Sequence, residues 1–292
     1  SMQKESKFDS ILNKLFNQIE QRSLGESTAG IPVNFYDFDA MTQGLQRGSL
    51  NVLGARPSMG KTSLLINMAK NVAQSQSLPV CYFGLEMSKE QLGYRILSLE
   101  VGIESGRLRT GRLQQDEWPL LGEGINSLSQ LPIYIFDKQN ISIEEMTNTC
   151  KEIKEQSKDK KLGLIVIDYI QLMELDDNRL ITSRDDELCK IGIKLKSMAV
   201  ELDVPIFVAS QLNRTIEYRY NKRPMLGDIR ETKSLEGTSD LIAMLYRDEY
   251  YNPETTDRGI SELIICKHRN GPVGTVKLLF EPQFTRYRNL AA

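Results

Sequence analysis

The chain contains a single histidine, His268, among its 292 residues. A metal or catalytic centre built from several histidines is therefore excluded. The four cysteines, Cys81, Cys150, Cys189 and Cys266, lie far apart and none forms a CxxC pair. Such spacing speaks against zinc and dithiol redox motifs. Three of the four sit in apolar or helical runs and read as small buried side chains, which suits a reducing compartment. No apolar run reaches the ~18 residues that a membrane span needs, and no signal peptide is visible. Neither sign of charge dominates, with 37 basic residues against 39 acidic. Overall charge thus argues for no polyanionic partner, and any nucleic-acid site has to be local.

What is present is a core-forming composition, 40% hydrophobic, long enough for one large α/β domain at ~150 residues or more per domain. The Ser1-Met2 start reads as a cloning remnant, so a piece of a longer protein is expected. Over residues 5–22 the apolar positions Phe8, Ile11, Leu12, Leu15, Phe16 and Ile19 form one helical stripe. That stripe needs cover, from its own domain or from a neighbouring subunit. The run from Gly25 to Gly30 then reads as a flexible linker, which divides the chain into 1–30 and 31–292.

Beyond residue 45 short apolar runs alternate with helical stretches. The runs are Leu50–Leu53, Val80–Phe83, Ile133–Phe136, Leu164–Ile167, Pro205–Ala209, Leu241–Leu245, Leu263–Cys266 and Val276–Phe280. Helices are expected near 61–75, 88–101, 142–157 and 184–202. Strand–helix alternation predicts right-handed crossovers and a mostly parallel sheet. The last three runs follow closely, with Arg258-Gly259 and Asn270-Gly271 between them, and read as an antiparallel extension.

Chemistry is concentrated after the first strand, in Ala55-Arg56-Pro57-Ser58-Met59-Gly60-Lys61-Thr62 followed by Ser63. This is a phosphate-binding P-loop pattern with Ala55 in place of the usual first glycine; Gly54 is expected to share the turn. Successive backbone N–H groups and a helix N-terminus cradle phosphate oxygens. Lys61 supplies a cation to the β- and γ-phosphates, and the Thr62 hydroxyl binds magnesium. The apolar run Leu164–Ile167 ends in Asp168, which falls at the carboxyl edge of a central strand, where ligands of open sheets bind. It is the expected second magnesium-holding group, with a helix N-cap as its plainer role. Glu86 follows the run Val80–Phe83, and we expect that strand to neighbour the P-loop strand. Glu86 is the candidate for activating the attacking water, with a cap of the next helix as the alternative. Gln211, at the end of another strand, is placed to contact the γ-phosphate. ATP with Mg2+ is the expected ligand pair.

Five segments together resemble one family: GARPSMGKT at 54–62, GLEMS at 84–88, VIDYIQLM at 166–173, SQLNR at 210–214 and KHRNGPVGTV at 267–276. They are similar to the C-terminal, RecA-like motor domain of the bacterial replicative DNA helicase family, DnaB, over about residues 30–289. The resemblance implies a RecA-like P-loop fold and ATP-driven unwinding of DNA by a homohexameric ring around single-stranded DNA. Primase and a helicase loader are the partners it implies, and the bacterial cytoplasm or a plastid stroma the location. It makes residues 5–22 a linker helix docked on the adjacent subunit. It also makes Arg269, with Lys267 beside it, a finger reaching the neighbour's ATP; on the residues alone the pair reads as part of an ordinary solvated hairpin. Arg230, Glu231 and Lys233 would line the channel and meet DNA, although Thr232-Lys233 stands where the family has Ser-Gly. A second loop, about 176–184, would also face the channel. Few aromatics fall in these loops, which favours backbone tracking over base stacking. A recombinase-like or clock-type ATPase of similar fold, and an ATP-binding assembly module without catalysis, are the rival readings.

Overall fold

The computed structural model describes residues 7–175, 183–229 and 233–290. A nine-stranded sheet runs through the chain in the order β3-β2-β4-β5-β1-β6-β7-β8-β9. Its strands are β1 (Leu50–Ala55), β2 (Val80–Gly84), β3 (Ile133–Phe136), β4 (Leu164–Asp168), β5 (Ile206–Gln211), β6 (Leu241–Tyr246), β7 (Ile260–His268), β8 (Gly274–Glu281) and β9 (Arg286–Asn289). The first six pair in parallel, and β7 to β9 continue antiparallel. Every residue of β1, β2, β4 and β6 is buried. These strands read as unbroken apolar runs because helices cover both of their faces. A fully buried Leu, Ile or Val on such a strand contributes about 1.5–3 kcal/mol.

The helices are α1 (Phe8–Ser23), α2 (Tyr36–Thr42), α3 (Lys61–Gln76), α4 (Lys89–Val101), α5 (Ser105–Thr110), α6 (Glu117–Ser129), α7 (Ile143–Gln156), α8 (Arg184–Leu202), α9 (Lys233–Thr238) and α10 (Asp248–Tyr251). All eight expected strands and the five expected helices are found, within a few residues at their ends. Not expected from the sequence were β9 and the short helices, which carry too little periodicity to be read, and the 13-residue α6. One core lies under α3 and α4 and includes Leu64, Leu65 and Phe207. The other lies under α7 and α8 and includes Met146, Ile191 and Val208.

Two expectations about position are corrected. β2 does not neighbour β1, since β4 and β5 lie between them; the crossover through α3 passes over both. Gly54 takes no part in the turn. It lies within β1, paired with Ser210 and Met244, where an added Cβ would come 2.8 Å from Leu212 and 2.9 Å from Met244.

Helix α1 has the expected stripe but buries none of it, with Phe8 70% and Phe16 66% exposed. Docking on its own domain is thereby ruled out for the described chain. After it, Gly30 is buried and Ile31 bridges to Leu45.

Candidate functional site: a phosphate cleft at the sheet's carboxyl edge

The P-loop leaves β1 at its carboxyl end and closes into α3. Ser58 and Gly60 have positive φ, 66° and 92°. At Gly60 the requirement is also steric, since a Cβ there would stand 2.4 Å from the Tyr287 hydroxyl. That hydroxyl donates to the carbonyls of Met59 and Gly60 at 3.3 and 3.2 Å, so β9 holds the loop from behind. The cleft in front measures about 900 Å³ and is lined by Arg56, Pro57, Ser58, Gly60, Lys61, Thr62 and Ser63 of the loop. Ala55 and Met59 do not line it, because their side chains point into the core. Arg56 is drawn aside, to Glu217 at 2.7 Å and to the Leu212 carbonyl at 2.9 Å.

Of the two acids, Glu86 lines the same cleft and Asp168 is joined to it through Thr62. Asp168 ends β4 and is 4% exposed. Its Oδ2 accepts from the Thr62 hydroxyl at 2.7 Å and from the buried Tyr82 hydroxyl at 3.2 Å. Among the described residues its buried Oδ1 has no hydrogen-bond partner, and no helix cap uses the carboxylate. Because the Thr62 proton goes to Asp168, the lone pairs of that hydroxyl are left for a cation. The partnerless Oδ1 of Asp168 is a second oxygen donor of the kind Mg2+ takes. The chemistry of these two groups therefore fits the expected metal.

Glu86 lies on the turn after β2, exposed, and lines the cleft. It is no helix cap. Ser88 caps α4, accepting from the Gln91 N–H while the Gln91 side chain accepts from the Ser88 N–H. β4, which carries Asp168, separates β2 from β5, so Glu86 approaches from the far side of the acid rather than from beside the loop. Burial pushes the Lys61 ammonium below the ordinary lysine range, and the charges of Asp168 and Glu86 oppose that shift. The ammonium rests 4.7 Å from the centre of the Tyr169 ring. Burial, then the charge of Asp168, lifts the Tyr82 phenol well above its ordinary value, so it stays protonated and donates. Gln211 ends β5 and also lines the cleft. Gln171 holds it, accepting from the Gln211 N–H at 3.1 Å while its own amide donates to the Ser210 hydroxyl at 3.1 Å.

Lys267 and Arg269 are absent from this cleft. They end β7, where His268 pairs with Leu241 at the beginning of β6, the opposite edge of the sheet. Arg269 donates to Asp240 at 3.2 Å and to the Gly237 carbonyl at 3.1 Å, and Lys267 donates to the Glu236 carbonyl. Of the expected channel residues, Arg230, Glu231 and the Lys233 side chain lie outside the described residues, as do 176–182 of the second loop. At that loop's end Arg184 pairs with Glu187 and donates to the carbonyls of Gln171 and Met173. It braces the support of Gln211.

Sequence reasoning missed Arg247, which lines the cleft, donates to the Ser58 carbonyl at 3.2 Å and lies 4.9 Å from the Phe280 ring centre. The signal was available, since Arg247 directly follows an apolar strand, as Asp168 does. Arg95, Phe280 and Gln283 also line the cleft; they come from a helix face, from β8 and from the segment joining β8 to β9, where no motif marks them.

The DnaB-like helicase C terminal domain family matches residues 30–289. The replicative DNA helicase DnaC of Bacillus subtilis (strain 168) is 44% identical over 282 residues, covering 96% of this chain and 61% of that protein. The replicative DNA helicase DnaB of Geobacillus stearothermophilus is 44% identical over 266 residues, covering 91% of this chain and 58% of that protein. The chain thus spans about three fifths of the length of these curated relatives. Among solved structures, one described as an ATPase domain superposes with a TM-score of 0.92 at 36% identity, covering 98% of this chain and 99% of that one. Another, described as a DnaB-like replicative helicase and its interactions with primase, gives 0.88 at 35% identity, covering 96% and 66%. With its RecA-like sheet and its phosphate cleft, the chain belongs to the DnaB-like helicase C-terminal domain family.

Proposed function

We propose that this chain is the ATP-hydrolysing motor of a ring-shaped replicative DNA helicase. One observation carries the reading. Lys61, Thr62 and Glu86 line one cleft at the carboxyl edge of the sheet, with Asp168 hydrogen-bonded to Thr62, while Lys267 and Arg269 stand at the other edge. A site divided between two edges is completed when the carboxyl edge of one subunit faces the opposite edge of the next, a head-to-tail contact that closes into a ring.

In this mechanism the loop N–H groups and Lys61 bind the phosphates of ATP. Thr62 and Asp168 hold Mg2+, which neutralises charge on the phosphate oxygens when bound. Glu86 takes a proton from the attacking water. Gln211, braced by Gln171, senses the γ-phosphate. Arg269 of the adjacent subunit, with Lys267, stabilises charge developing on the transferred phosphoryl group, and such fingers are worth ~10³–10⁵ in rate. Single-stranded DNA in the channel would be met through its phosphates by Arg230 and Lys233, with backbone N–H groups of the loop that also carries Glu231.

Residues 1–30 act as linker helix and linker, and 31–292 as the motor. The stripe of α1 fits the apolar groove between α4, α6 and the edge strand β3 of a neighbouring copy. That groove measures about 530 Å³ and is lined by Tyr94, Leu97, Ile125, Leu128 and Ile133 among others. Primase and a loader are the further partners, and the cytoplasm of a bacterium is the proposed location. No described helix is long and apolar enough to cross a membrane.

The deciding experiment measures ATP hydrolysis per subunit against protein concentration, with and without single-stranded DNA. A shared site requires the specific rate to rise with concentration and with DNA. A rate independent of both would reject the shared site.

A further inference from the structure

β2 carries a tyrosine in a run whose other side chains are apolar, Val80, Cys81 and Phe83. Tyr82 is 1% exposed, and its hydroxyl donates to Asp168 Oδ2 at 3.2 Å. β2 pairs with β4 in parallel, Tyr82 opposite Val166 and Gly84 opposite Asp168. The tyrosine thus starts two residues back from the acid and reaches along the strand to it. A phenol in a buried strand needs a partner for its hydroxyl, and here the partner is the carboxylate beside Thr62. A phenylalanine would fill the same space without that bond.

We propose that Tyr82 is a positioning residue for the magnesium-holding carboxylate of Asp168. The inference rests on the ATP–magnesium reading of the cleft. Both donors to Asp168, Thr62 and Tyr82, bind the same oxygen, Oδ2. Two donors on one oxygen fix the rotation of the carboxylate and leave Oδ1 aimed away from them, without a partner among the described residues. The Thr62 hydroxyl alone supplies a single contact to Oδ2, about which the carboxylate can still turn. The Tyr82 hydroxyl adds a second contact from the sheet side and fixes that rotation. A neutral hydroxyl at 3.2 Å withdraws little charge from the carboxylate, so orientation dominates over electrostatics. Outer partners of metal-holding groups typically change metal affinity ~10–100-fold when removed.

The test is Tyr82→Phe. A fluorescent ADP analogue is titrated in EDTA and then at increasing Mg2+, and Mn2+ binding to the nucleotide complex is followed by electron paramagnetic resonance. The Mg2+ concentration for half-maximal tightening is expected to rise about tenfold, with metal-free nucleotide affinity unchanged. The thermal midpoint of the nucleotide-free protein controls for loss of packing. In an Asp168→Asn background, Tyr82→Phe is expected to add nothing further to the metal dependence. An unchanged Mg2+ requirement in a folded Tyr82→Phe protein would overturn the inference, as would an equal, additive loss in the Asp168→Asn background. Failure of the wild-type protein to show any Mg2+-dependent nucleotide binding would instead reject the reading of the cleft.

Discussion

The two-edged site makes a prediction that mixing can test. β1 runs from Leu50 to Ala55, and Arg269 lies level with the beginning of that strand, not with its end. At ~3.3 Å per residue, a six-residue strand separates the two edges by ~17–20 Å. An arginine side chain is too short to span that gap, so Arg269 does not reach a phosphate at Lys61 of its own subunit. Lys61→Ala and Arg269→Ala should therefore each remove hydrolysis, the second by ~10³–10⁵. Neither should unfold the chain. Arg269 is half exposed, so its pair with the buried Asp240 is worth about 0–1 kcal/mol, and Asp240 keeps its bonds to Lys196 and to the Leu50 N–H. If the two variants are dissociated, mixed in equal amounts and reassembled, a site is whole when Lys61 comes from one variant and Arg269 from the other. Random arrangement in a head-to-tail ring makes about one interface in four whole. Steady-state hydrolysis with single-stranded DNA should recover to about that fraction of wild type, less where neighbouring sites must fire in turn. A mixture no more active than its two components would refute the assignment of Arg269 to the neighbour's site.

Other outcomes follow from single contacts. Glu86→Gln should leave nucleotide affinity intact in equilibrium titrations and lower turnover by ~10² or more; retained hydrolysis would remove Glu86 from its role. Gly60→Ala places a Cβ 2.4 Å from the Tyr287 hydroxyl at a φ of 92°, and strain of this kind costs ~1–3 kcal/mol. A denaturant midpoint equal to wild type would contradict the packing of β9 behind the loop. Phe8→Ser with Phe16→Ser touches only exposed side chains, so unfolding should shift by less than ~0.5 kcal/mol while self-association in sedimentation weakens. Glu281 accepts hydrogen bonds from Arg288 and Arg286, which hold its carboxyl down at about 2 against an ordinary 4.5. A depressed carboxyl stabilises the fold fully above its unfolded value and loses that contribution as pH falls from about 4.5 to about 2. Glu281→Gln should lower stability at neutral pH modestly, since solvent screens the pair, and flatten its dependence across that acid window. An unchanged acid limb in urea titrations would count against the pairing.

Much of the site was legible before folding because each part ends an apolar run. Asp168, Glu86 and Gln211 each follow six or seven consecutive buried residues, and in a parallel sheet such ends collect at one edge. Arg247 obeys the same rule and was overlooked because no phosphate-loop motif accompanies it. Helix α1 was legible as a stripe, but periodicity cannot say what covers it, and the structure leaves it bare. The expected adjacency of β1 and β2 failed because consecutive strands need not pair. The crossover through α3 carries β2 past β5 and β4, and only side-chain packing against the sheet decides how far it goes. Tyr82 was invisible for a related reason, since a tyrosine in an apolar run reads as core until the neighbouring strand shows an acid within reach of its hydroxyl.

By itself, then, the order of residues determined which groups stand at strand ends, the turn that only glycine permits at position 60, and the alternation that yields a parallel sheet. These are local matters, settled by sterics and by hydrophobic periodicity within a few residues. Tertiary structure alone decided that Lys61 and Arg269 occupy opposite edges, that Asp168 turns one oxygen to Thr62 and Tyr82 while the other is left over, and that α1 has no cover of its own. Those facts depend on strand order and register across more than a hundred residues, which arise from how whole faces pack and not from any short stretch of chain.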